Sequence, residues 1–159
     1  MQIIKDGRIV ADDWRHLADD EALAGNRVTV SAARWQAEKS TLLAAGVELG
    51  LRLRGDDPLE ELADDLPSFQ LVVIEFPVMA DGRGFSLARL LRERYGYRGE
   101  IRARGDFIRD QMFFLARVGV NAFECGQAQD LEALLPALSE FTVRYQAAVD
   151  EPLPLYRRR

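Results

Sequence analysis

Cysteine and histidine are almost missing: the 159 residues hold one of each, Cys125 and His16. A lone cysteine excludes an internal disulfide, a CxxC redox pair and a cysteine-ligated iron–sulfur cluster within the chain. A lone histidine excludes a zinc site built from several imidazoles, and only His16 could serve a Ser-His-Asp or Cys-His device. It lies in the polar stretch WRHLADD, which reads as surface. No apolar run approaches the ~20 residues needed to cross a bilayer. The opening MQIIKDGR lacks the basic start and long apolar stretch of a secretory signal. Together these absences lead to the expectation of a cytoplasmic protein with no membrane partner. Positive charge is also short overall: the net charge is −5, which argues against nucleic-acid binding.

What the chain does have is the makeup of a soluble globular domain, 48% hydrophobic and 30% charged, long enough to bury a core without staples. IIKDGRIV reads as a hairpin around Asp6-Gly7, and the acidic connector that follows offers Trp14 and Leu17 as anchors, so residues 1–26 form a hairpin and linker. Residues 27–150 form one α/β domain and 151–159 a tail. Apolar runs at 28–31, 47–53, 70–76, 100–104 and 121–125 alternate with helical patterns at 33–45, 58–66, 84–95, 106–118 and 129–148. This alternation implies parallel pairing through right-handed crossovers. Asp57 before Pro58 reads as a helix cap, and Pro136 must kink the last helix or start another. Cys125 reads as a buried thiol, and the Asp-Asp pairs as caps and solvated faces, with no metal site.

From Leu66 to Leu138 the rhythm LVVIE, FPVMADG, FSLARLLRERYG, EIRAR, DFIRDQMFFLARV, GVNAFE, DLEALLPAL resembles the later part of a response-regulator receiver domain. The resemblance implies a doubly wound, five-stranded parallel sheet of flavodoxin type, strand order 2-1-3-4-5, preceded by the N-terminal β-hairpin. The receiver's chemistry does not carry over. Glu75 stands at its phosphoacceptor position and Ser31-Ala32 where its magnesium-binding acids belong.

In such a sheet the ligand crevice lies at the carboxyl ends of the strands, where FPVMADGRGFS leaves the most apolar run. Asp81, Gly82, Arg83, Gly84 and Ser86 on that loop, with Arg102, Gly105, Asp106, Arg109, Asp110 and Gln111 from the next strand and helix, make a candidate ligand- or partner-binding site for a small anion. From Asp81 to Arg117 nine arginines face five acids, so this stretch is positive inside an acidic protein. A second reading stays open: Asp81 caps the helix, the glycines make the turn, and Arg83 pairs with Asp106 or Asp110. GxG without a third glycine or a GK[ST] gives no nucleotide motif, and no cofactor is expected.

The elements FP, DGRG-aromatic-S, ARLLR, GE-RA-GD, RDQ and AFE, in order and spacing, together with the early DG hairpin and DDWRHL, are similar to the bacterial family called domain of unknown function 934, often labelled an oxidoreductase. Val118 departs from the family's cysteine before glycine. The resemblance implies a place in sulfate assimilation and cysteine biosynthesis, as an accessory protein of assimilatory sulfite reduction that docks on sulfite reductase or its electron donor. Two alternatives accompany it: a small oxidoreductase or sulfur-anion-handling enzyme that binds sulfite and borrows a cofactor, and a receiver-like homodimer that no longer accepts phosphate.

Overall fold

The computed structural model describes residues 1–76, 82–105 and 109–138. At its start Asp6 and Gly7 both take positive φ, 52° and 77°, the pair of conformations that a tight hairpin turn demands. They join β1 (Gln2–Lys5) to β2 (Arg8–Ala11). This hairpin is no separate appendage. β1 pairs antiparallel with β8 (Ala122–Cys125), Ile4 opposite Phe123, and so extends the main sheet.

The strands β3 (Arg15–His16), β4 (Arg27–Ser31), β5 (Glu48–Leu53), β6 (Leu71–Glu75), β7 (Glu100–Gly105) and β8 run parallel, and the whole eight-stranded sheet has the order β2-β1-β8-β7-β6-β5-β4-β3. The doubly wound five-stranded expectation is therefore wrong. The expected strand positions are close, but each parallel strand follows its predecessor in the same direction. Right-handed crossovers that never reverse direction put every helix on one face. A flavodoxin-type sheet must reverse once, and that reversal makes its crevice.

Helix α1 (Ala32–Ala44), α2 (Leu59–Leu62), α3 (Arg83–Glu93), α4 (Arg109–Arg117) and α5 (Leu131–Leu134) all share one core with that face of the sheet. Trp35 and Leu42 of α1, Leu87 and Leu91 of α3, and Met112 and Leu115 of α4 pack with Val30, Leu51, Ile74, Ile101 and Phe123. Removing each such large apolar side chain from water stabilises the fold by about 1.5–3 kcal/mol. Trp35 Nε1–H donates to Asp65 Oδ2 at 2.9 Å, so its one polar atom is satisfied inside the core.

The other face is lined differently, because a strand's alternate side chains point the opposite way. Thr29, Arg52, Glu75, Arg102, Arg104 and Glu124 belong to it, with Leu71 and Val73 as its apolar floor. From β2 at one edge the chain crosses this face to β3 at the other, and Trp14 packs on Leu71 and Val73 on the way. The sheet is strongly curled around this arm. His16 touches both Thr29 on β4 and Glu124 on β8, although four strand spacings in a flat sheet would separate those strands by about 19 Å. The result is a curled half-barrel with helices outside and charge inside.

Three local expectations also change. The helix at 58–66 is a single α turn, α2, followed by a 3₁₀ turn, Ala63–Ser68, that contains Pro67. Asp57 does not cap it by side chain; its carboxylate accepts the Arg54 N–H at 2.7 Å instead. The last expected helix narrows after Leu134 to a 3₁₀ turn, Leu135–Leu138, through Pro136. The remainder of that helix lies outside the described residues.

Candidate functional site

Inside the curl, charge is organised around two carboxylates. Deepest is Arg102 on β7, 1% exposed, whose Nη1 and Nη2 donate to Asp12 Oδ2 and Oδ1, both at 3.0 Å. The same guanidinium reaches Glu100 Oε1 and, at 3.1 Å, Glu124 Oε2. A bidentate fork of this kind is the strongest form of charged hydrogen bond available to side chains. It fastens the N-terminal arm across the sheet.

Glu124 is the first of the two carboxylates. His16 Nε2–H donates to its Oε2 at 2.8 Å and Arg104 Nε to its Oε1 at 3.2 Å. Burial pushes this carboxyl up, but the hydrogen bonds and charges of His16 and Arg102 outweigh burial and hold it at about 2. The other imidazole nitrogen, Nδ1, lies 2.7 Å from Thr29 Oγ1, which also accepts Arg52 Nη1 at 2.8 Å. Both nitrogens are therefore satisfied, the Thr29 hydroxyl being able to donate to Nδ1 or to accept from it. The surface placement expected for His16 is thus corrected. Its side chain is 14% exposed and it bridges two strands.

Glu75, at the carboxyl end of β6, is the second. Three guanidinium groups surround it: Arg104 Nη1 at 3.2 Å, Arg52 Nε at 3.4 Å and Arg54 Nε at 3.5 Å. Arg52 is fixed, since its Nη1 and Nη2 donate to the Thr29 and Leu17 carbonyls at 2.7 and 2.6 Å. Burial lowers the pKa of Arg52 from its ordinary value, and the charge of Glu75 acts against that. Arg54 and Arg104 are far more exposed, at 71% and 42%.

A cavity of about 500 Å³ opens at this place. Arg52, Arg54, Arg104, Glu75 and His16 line it, and Ser31 with the first residues of α1 closes one side. The Ser31 hydroxyl donates to Asp19 Oδ1 at 2.5 Å and accepts the Arg34 N–H at 3.1 Å. The volume suits a small-molecule ligand. Its position, at the carboxyl ends of parallel strands, is where α/β barrels place their binding and catalytic groups.

None of the described residues singled out from sequence lines this cavity. Gly82, Arg83, Gly84 and Ser86 begin α3, and Arg109, Asp110 and Gln111 begin α4. Gly105 ends β7 at φ 152°. Asp81 and Asp106 lie outside the described residues. Arg102 is committed to its buried network. Gly84 is small for packing: a Cβ there would stand 2.5 Å from Phe76 Cζ. Gly82, at φ −67°, needs no special freedom. The missed residues, Ser31, Arg52, Arg54, Glu75, Arg104 and His16, did leave a signal. In GLRLR and EIRAR charges recur at every second position, a strand with one apolar and one charged face. Fully covered parallel strands read as continuous apolar runs.

Among the described residues no helix is long and apolar enough to cross a membrane, and no cluster of three His, Cys, Asp or Glu side chains could hold a metal ion. A family model described as a bacterial protein of unknown function, DUF934, matches residues 50–156, about two thirds of the chain. No curated protein matches it.

Proposed function

The chain belongs to this DUF934 family, and from that premise we propose that it is a cytoplasmic accessory protein of assimilatory sulfite reduction that holds a small sulfur oxyanion at the mouth of the curled sheet. The observation that carries the reading is the convergence of Arg52, Arg54 and Arg104 on the single carboxylate of Glu75 at an open cavity. Arg52, Arg54 and Arg104 offset the acids Asp19, Asp57 and Glu75 that line the same cavity, and guanidinium forks match the oxygens of sulfite or sulfate. In this reading the protein binds and presents the anion, and sulfite reductase or its electron donor performs the reduction.

A second reading, an enzyme that handles the sulfur anion itself, draws support from His16. Its imidazole lines the same cavity and is held by Glu124, so a proton-carrying group stands beside the bound oxygen atoms.

Calorimetric titration of the purified protein with sulfite tests the shared premise. Saturable binding that falls at least tenfold in a folded Arg54→Ala/Arg104→Ala variant is the expected result; equal binding by the variant refutes the assignment. Growth of a strain lacking the gene then tests the pathway. Failure on sulfate and sulfite with rescue by sulfide is expected, and normal growth on all three refutes it.

A further inference from the structure

Glu75 stands among the three guanidinium groups of the cavity. Its carboxylate lies at 3.2, 3.4 and 3.5 Å from three guanidinium groups, whereas charge-assisted N–H···O bonds close to about 2.7–2.9 Å where the pairing is tight. By contrast the Arg102 contacts in the same sheet are closed at 2.9–3.1 Å on three acids whose side chains are 8% exposed or less. Glu75 is also 21% exposed, so its carboxylate has water to turn to. Two of its three partners, Arg54 and Arg104, are exposed at the rim, Arg104 Nε also donating to Glu124, and only Arg52 is anchored by backbone carbonyls.

We propose that Glu75 is an exchangeable internal ligand of the arginine triad, displaced when an external oxyanion binds, and therefore the residue that sets the affinity of the site. This inference rests on the oxyanion reading given above. With Glu75 in place, an incoming anion must either expel it or sit beside a like charge. A dianion replaces the lost carboxylate charge and adds to it; a monoanion gains little over the resident group. Dianions are thus favoured over monoanions of the same shape, and expelling Glu75 costs either one the same. Phe76, the next residue, packs its ring over Gly84 at the start of α3, so the displaced group is the last strand residue before the FP-to-DGRG loop.

The test is a titration of wild type, Glu75→Gln and Glu75→Ala with two probes, sulfite and the monoanion formate, each variant first shown to be folded by far-ultraviolet circular dichroism. Removing a like charge from a partly wet site is expected to tighten sulfite binding by about tenfold or more. Formate binding is expected to tighten by a similar factor, since the same carboxylate has to be expelled for either probe. Sulfite binding that is unchanged or weaker in the folded variants overturns the exchange and leaves the oxyanion site standing. If neither wild type nor any variant binds sulfite, the oxyanion reading falls and this inference with it. If only one of the two variants folds, that variant decides.

Discussion

Replacing Arg102 by methionine keeps the apolar stem and removes the one cation on which Asp12, Glu100 and Glu124 converge. The three acids are 3%, 8% and 3% exposed, so none can turn to water. They do not suffer equally. Glu100 keeps Lys5 at 3.1 Å, and Glu124 keeps His16 and Arg104. Asp12 is left with a single long bond from the Trp14 N–H at 3.4 Å. Removing one partner of a buried pair costs about 3–5 kcal/mol, and the stranded Asp12 places the expected loss at about 4 kcal/mol. In a chain of this size that lowers the melting temperature by roughly 8–16 °C. Urea unfolding followed by tryptophan fluorescence measures it, and Trp14 reports whether the arm leaves the sheet. The double variant Asp12→Asn/Arg102→Met is expected to recover at least half of the loss, because no unpaired charge is then buried beneath the arm. A loss below about 1 kcal/mol in the single variant, or no recovery in the double, would refute the view that this guanidinium pins the arm.

Two further outcomes are expected. Gly84→Ala drives a methyl group into the Phe76 ring and should cost about 1–3 kcal/mol in a denaturant melt, while Gly82→Ala, with φ −67° and open space around it, should be neutral or slightly stabilising; equal effects at the two glycines would remove the packing explanation. Glu124 is held at about 2, below its ordinary value of 4.5, so its contribution to stability is complete above about pH 4.5 and is lost as the pH falls through about 2. His16→Ala removes one of the groups that depress it, and acid unfolding of that variant should begin at higher pH; an unshifted acid midpoint would mean that His16 does not stabilise the carboxylate.

Local chemistry was legible wherever neighbours in the chain decide it. Asp6-Gly7 closes the hairpin because both positions tolerate positive φ, and Trp14 and Leu17 are buried as their place in an otherwise polar segment suggested. The five apolar runs are strands with ends displaced by a residue or two. Strand β3 was not legible, because two residues carry no period; its pairing with β4 exists only because the arm crosses the curl. The cavity lined by Arg52, Arg54, Glu75 and Arg104 went unread for a related reason. The glycines and charges of DGRG looked like a ligand loop, yet Gly84 answers to Phe76, and the residues that line the cavity sit on strands whose alternation carried the evidence.

The amino-acid order alone therefore determined which residues turn, which extend and which face apolar surroundings, since these follow from backbone sterics and from periods of two and 3.6 residues. It did not determine the direction in which successive strands add to the sheet. The pattern of strand and helix is the same for a sheet that reverses once and for one that does not; only the packing of all five helices into a single core selects between them. With that choice made, one face of the sheet lost its helices and curled inward. Arg52, Arg54, Glu75 and Arg104, spread over three strands, then came within ion-pair reach. Their meeting depends on strand order and register, and that of His16 with Thr29 and Glu124 on the curl, quantities that no local stretch of the chain encodes.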